Sequence, residues 1–145
     1  GQIIVTEPVA PFLPAPCYAN FVLDYFRQLP DGRVLIGGFF QLEKETEVGT
    51  ADEPSPAIHE ALADFLHKHF PHLRGVKIDY RWAGIMGFSV DGLPMIGALP
   101  GQENVFFLGG YTAHGIGWAF KAGQLLSKVI LEGEQPPIIS ARRLH

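Results

Sequence analysis

The spacing of apolar and polar positions changes several times along this chain, and each change marks an element. Ile3–Thr6 is a short apolar, β-branched run that stops at Glu7-Pro8 and predicts a strand. Pro8, Pro11, Pro14 and Pro16 then fix φ and remove backbone donors at close intervals, which predicts an extended, irregular passage. Tyr18–Gln28 and Arg33–Phe40 read as two strands joined by Leu29-Pro30-Asp31-Gly32, a turn signal. Glu43–Pro56 is acidic and loop-like. A helix is expected from Ser55-Pro56, with serine as N-cap and proline at the first helical position. Ile58, Ala61, Leu62, Phe65, Leu66 and His69 recur at its period, and Pro71 ends it. Val76–Val90 reads as a strand with breaks at Gly84 or Gly87. Turns at Asp91–Pro94 and Pro100-Gly101 bracket Met95–Gly97.

Val105–Leu108 is a continuous apolar run, as for a strand covered on both faces. Gly109 and Gly110 end it without side chains, so another backbone or a ligand can approach. The final helix carries Ile116, Ala119, Phe120, Gly123, Leu126 and Ile130 on one side and ends at Gly133, a natural C-cap. Its start is polar and uncharged. Free N–H groups and the positive end of the helix dipole there suit an anion, or a group that becomes one. The plainer reading of this stretch is a strand–loop–helix core unit.

Composition narrows the class. The chain has 145 residues, 47% of them hydrophobic and 18% charged, which predicts a folded protein with a real core. A net charge of −4 without a basic run argues against nucleic acid as the main partner. Cys17 is the single cysteine, so no internal disulfide or thiolate metal cluster can form; a lone thiol fits a reducing, cytoplasmic setting. No apolar run reaches the length of a membrane span. The opening GQIIVTEPVAPF lacks both a signal-peptide pattern and an initiator Met, so the chain is expected to be a fragment.

Candidate chemistry is sparse when residues are taken singly. His59, His67, His69 and His72 lie close in sequence but lack i,i+4 metal-ligand spacing, which favours a solvated helix face. Ser89, Ser127, Ser140 and Cys17 have no nucleophile–base context. Gly115-Ile116-Gly117 begins like a dinucleotide fingerprint, but Phe120 stands where the third glycine belongs. His114, in the glycine-rich turn, stands out; taken alone it would be a packing or capping histidine.

Three ordered motifs change this picture. YFRQLPDGRVLIGG (Tyr25–Gly38), RWAGIMGFSVDGLPMIG (Arg81–Gly97) and NVFFLGGYTAHGIGWAFKAG (Asn104–Gly123) together resemble the C-terminal part of the D-amino-acid-oxidase-like flavoproteins, the family of glycine and sarcosine oxidases. The resemblance covers nearly the whole chain. It implies an α+β fold in which residues 1–90 form the second half of a mostly antiparallel substrate-domain sheet with helices. Residues 91–145 would complete a Rossmann-like FAD-binding domain with its last strand and helix. The phosphate-binding glycine motif would lie in an N-terminal half, the expected partner of this chain.

The resemblance also implies roles. Gly109, Gly110, Tyr111, Thr112, Ala113, His114, Gly115, Ile116 and Gly117 match the segment under the flavin pyrimidine edge. A helix N-terminus there would stabilise the negative charge of reduced flavin at N1–C2=O. Tyr25, Met86 and His114 match substrate-facing positions. Met86 is a departure, because related enzymes carry there an arginine that clamps a substrate carboxylate. Gly117 replaces a lysine of sarcosine oxidases, and Gly84 replaces a cysteine that tethers flavin in some members, so FAD is expected to be non-covalent. The implied activity is oxidation of a C–N bond of an amine or amino acid by hydride transfer to flavin N5, followed by imine hydrolysis. The isolated fragment would be inactive. The alternative is a non-catalytic small subunit that completes a flavin site only with a partner chain.

Overall fold

The computed structural model describes residues 1–19, 24–43, 45–136 and 138–143. Two compact units follow each other in the chain, Gly1–Ile85 and Met86–His145.

The first unit is a five-stranded antiparallel sheet with one helix. Its strands are β1 (Gln2–Thr6), β2 (Cys17–Ala19), β3 (Asp24–Gln28), β4 (Val34–Gly38) and β5 (Ile78–Ala83), in the order β2-β3-β4-β1-β5. Side chains alternate across a strand, so Ile4, Val34 and Ile36 share one face. That face packs on Ile58, Leu62 and Leu66 of α1 (Pro56–His69) and on Leu73. The helix starts where expected: Ser55 Oγ accepts from the Ile58 amide at 3.4 Å, and Pro56 opens the first turn. The β3–β4 hairpin also forms as read. Leu29 N–H donates to Arg33 O at 2.7 Å, and Gly32 takes φ 89°, a conformation that suits glycine.

Two strand assignments need correction. Tyr18–Gln28 is not one strand. Tyr18 of β2 lies opposite Tyr25 of β3 in an antiparallel pair, so the chain reverses direction between them, and residues 20–23 of the expected strand lie outside the described residues. Likewise, Val76–Val90 contributes strand only over Ile78–Ala83. Its partner is β1, paired from Gln2↔Ala83 to Thr6↔Ile78, and Gly84 N–H still reaches Gly1 O at 2.8 Å. The proline-rich passage is tied down by Gln28. Its Oε1 accepts from Phe12 and Leu13 N–H, and its Nε2 donates to Ala10 and Gly32 carbonyls.

In the second unit β6 (Met95–Ala98) pairs antiparallel with β7 (Phe106–Gly109), followed by α2 (Gly115–Glu132). A C-terminal turn returns to β6: Ile96 N–H donates to Ile139 O at 2.7 Å, and Arg143 holds Asp91 and the Pro94 carbonyl. The reading of β7 as covered on both faces is not met, since Phe106 and Leu108 each stay 36% exposed. Nor does α2 bury the expected stripe. Ala122 and Val129 are buried, with Trp118 and Leu125 half-buried on the same side, while Ile116, Phe120 and Ile130 face out. The helix is apolar around much of its circumference, and two strands cover only one stripe of it.

Candidate functional site

The backbone after β7 is unusual. Gly110 has φ 68°, and Thr112 and Ala113 follow with φ 49° and 65°. Left-handed conformation in non-glycine residues costs about 1–2 kcal/mol each. Segment 87–89 holds the turn in place. Thr112 N–H donates to Gly87 O at 3.0 Å, Ser89 N–H donates to Thr112 Oγ1 at 3.2 Å, and the two hydroxyls share a further hydrogen bond at 3.2 Å. Gly87 packs directly on the Gly110 backbone, which lies at van der Waals distance, 3.8 Å, from the position of a Cβ at 87. The structure thus assigns Ser89 a part that its sequence context did not disclose: it pins Thr112.

The turn delivers the chain into α2 without a cap. His114 is the N-cap residue but makes no side-chain capping bond, and the first turn holds no acidic residue. The amides of Gly115, Ile116 and Gly117 therefore have no partner within the helix and carry the positive end of its dipole. Gly117 has nothing within 4 Å of a would-be Cβ, and Ile116 is fully exposed, so the approach to these amides is open. His114 Nδ1 lies 2.7 Å from Thr112 O. A carbonyl only accepts, so Nδ1 carries the proton and Nε2 of the neutral ring is left as an acceptor. Burial pushes the Tyr111 phenol above its ordinary pKa, so it stays protonated.

Tyr25 sits on the face of the first sheet away from α1. Its ring crosses Gly37, where a Cβ would come within 2.5 Å of the phenol oxygen; only glycine permits this. Strand register places Tyr18, Tyr25, Gly37, Ile3 and Trp82 in one row across that face. Tyr18 and Trp82 are 70% and 41% exposed, and the Tyr18 and Tyr25 rings meet edge-on at 6.4 Å. Desolvation, then the neighbouring Tyr18, raises the Tyr25 phenol pKa, which keeps its proton available for donation. The hydroxyl has no hydrogen-bond partner among the described residues. The row was missed in sequence because it spans four loops, although period-two alternation in Asp24–Gln28 already put Tyr25 and Arg27 together.

Met86 is half-buried and lies in the irregular segment after β5, not within a strand. No cluster of three or more potential metal ligands occurs among the described residues. His69 and His72 instead meet the rings of Phe65 and Phe12, with centroids 4.4 and 4.5 Å apart. No helix among the described residues is long and apolar enough to cross a membrane.

Comparison with known proteins bears on these features. The chain is 34% identical over 111 residues to gamma-glutamylputrescine oxidoreductase of Escherichia coli, a match covering 77% of this chain and 24% of that protein. It is 29% identical over 138 residues to glycine oxidase of Pseudomonas putida, covering 95% and 36% respectively. In structure it resembles glycine oxidase from Geobacillus kaustophilus, with TM-score 0.75 and 22% identity over 94% of this chain and 35% of that one. The chain therefore spans only about a quarter to a third of the length of these relatives. Residues 1–129 match the family described as FAD dependent oxidoreductase (DAO), and the chain belongs to that family.

Proposed function

We propose that this chain is the C-terminal part of an oxidoreductase that uses FAD to oxidise the C–N bond of a small amine or amino acid. The observation that carries this reading is the uncapped, glycine-opened start of α2 behind two left-handed residues. Strained backbone held by cross-links, with unpaired amides facing open space, is what a preformed ligand cradle requires. The residues fit the pyrimidine edge of a flavin: Gly115, Ile116 and Gly117 offer donors, and the missing side chains at 115 and 117 leave room. FAD, when bound non-covalently, supplies the acceptor for hydride from the carbon beside the substrate nitrogen.

The chain's own residues then have limited tasks. The α2 amides hold the acceptor edge and favour negative charge there. His114 offers Nε2 to a ligand N–H while Thr112 fixes its ring. Tyr25 offers its hydroxyl from the sheet face. In this reading residues 1–90 serve the substrate and 91–145 the cofactor, although the compact units meet at Ile85/Met86. Met86 cannot clamp a carboxylate, so the substrate lacks one at that point, or another residue holds it.

The test is the complete protein, purified with its upstream region. Released FAD and bleaching of its absorbance by amines or amino acids under anaerobic conditions are expected. A complete protein without flavin would overturn the reading. Met86→Arg should shift preference toward simple α-amino acids; an unchanged substrate profile would count against the role given to Met86.

A further inference from the structure

We infer that Ser89 is a positioning residue: its contact with Thr112 selects the tautomer of His114, and so restricts this histidine to a ligand group that donates a hydrogen bond. The inference deepens the proposed function and rests on its placement of His114 beside the ligands. The lock itself lies wholly within the second unit. The Thr112 carbonyl is the acceptor that holds His114 Nδ1–H at 2.7 Å. Its peptide plane lies between two left-handed residues, with φ 49° at Thr112 and 65° at Ala113. If either relaxes, the carbonyl turns and the ring loses its partner. A β-branched side chain is poorly suited to that conformation, so threonine at 112 needs a compensating contact. Its hydroxyl supplies one. Thr112 Oγ1 accepts from the Ser89 amide at 3.2 Å, shares a second bond with Ser89 Oγ at 3.2 Å, and lies 3.4 Å from Gly110 O. The Thr112 amide donates to Gly87 O at 3.0 Å. Packing closes the same joint: a Cβ on Gly110 would stand 3.6 Å from Ser89 Cβ and 3.0 Å from Met95 Cε.

The tautomer decides what the ring can recognise. A neutral imidazole in water keeps its proton mainly on Nε2, and an acceptor held against Nδ1 reverses this. With the proton on Nδ1, Nε2 of the exposed His114 presents a lone pair. It then accepts from an N–H and repels a carbonyl or carboxylate oxygen. The Nε2–H form would do the opposite. The donor that His114 meets is therefore an N–H, carried either by the flavin ring or by the substrate amine.

The experiment uses the complete protein with isotope-labelled histidine, as wild type, Ser89→Ala, Thr112→Val and Thr112→Ser. The His114 signal is assigned by its loss in His114→Gln. At alkaline pH, where imidazoles are neutral, the ring-nitrogen NMR shifts report the tautomer without turnover. Wild-type His114 should carry its proton on Nδ1. In Ser89→Ala the ratio of Nδ1–H to Nε2–H should fall about 3- to 10-fold, the worth of one ordinary hydrogen bond. Thr112→Val, which loses the hydroxyl, should fall at least as far, and Thr112→Ser, which keeps it, should stay near wild type. A proton on Nε2 in the wild type, or an unchanged ratio in Ser89→Ala, would overturn the inference. Activity and spectra then locate the donor. A flavin N–H predicts that Ser89→Ala shifts the visible spectrum and reduction potential of the bound flavin before substrate is added. A substrate N–H predicts an unmoved spectrum and a KM raised about 3- to 10-fold. A changed tautomer with neither response would overturn the restriction on the ligand and leave the flavin reading in place. A complete protein without flavin would remove that reading, and the ring-nitrogen shifts would still decide the role of Ser89.

Discussion

Single residues in this chain carry two kinds of stored cost. One is backbone strain at Thr112 and Ala113, both left-handed and adjacent. Thr112 is compensated by its bonds to segment 87–89, whereas Ala113 has no such compensation in its side chain. Ala113→Gly should therefore raise stability by about 1 kcal/mol, read from chemical denaturation of the chain. A loss of similar size would mean that φ at 113 is not left-handed in solution. The other cost is His59. It is 4% exposed in α1, and its Nε2 has no hydrogen-bond partner. Burial, then the charge of Arg81, holds its pKa below the usual 6.5, against smaller opposing effects from the Trp82 backbone and Glu47. In the unfolded chain the ring titrates near 6.5, so below that pH the unfolded state binds a proton that the native state refuses. Stability should thus be full above about pH 6.5 and fall with acidification until the depressed native pKa is reached, by at most about 1.4 kcal/mol per pH unit. Denaturation midpoints of wild type and His59→Gln across this range provide the check. Parallel pH profiles would exclude the histidine as their source.

At the level of elements, burial decides what a side chain contributes. Leu62 is fully buried between α1 and the sheet, so Leu62→Ala should cost about 2–5 kcal/mol. Phe120, 79% exposed on α2, should change stability of this chain by no more than about 0.5 kcal/mol when replaced by Ser. Thermal unfolding of both variants tests the pair, and equal losses would show that α2 is rotated from the orientation seen. The same contrast explains what could be read from sequence. α1 was legible because one apolar stripe, a serine cap and a following proline all agree. The β3–β4 hairpin was legible because Asp31-Gly32 fits only a turn. For α2 the period was clear but the face was not, since Ile116, Phe120 and Ile130 form a stripe as convincing as that of Trp118, Ala122 and Val129. The candidate cofactor turn was legible through its glycines. Its strain and its pin at Ser89 were not, because they depend on a contact across 23 residues that no local pattern encodes.

At the scale of the whole molecule, the second unit shows more apolar surface than two strands and one helix should leave. Phe106 and Leu108 stand out from β7, and Ile116, Phe120 and Leu131 from α2. A β-strand with an open edge and an uncovered apolar face is a template for further pairing. The matched segments make up only 24% and 36% of the two relatives, so those proteins are well over twice as long as this chain. On the proposed reading these surfaces are the seam against the upstream part of the cofactor domain. Amide hydrogen exchange measured on this chain alone and on the complete protein tests that directly. β7 and the exposed side of α2 should exchange quickly in the chain alone and become strongly protected in the complete protein, while β1, β4 and α1 should change little, since their core is already closed. Equal exchange of β7 in both would mean that its open edge is not used, and the assignment of the second unit to a shared cofactor domain would fall with it.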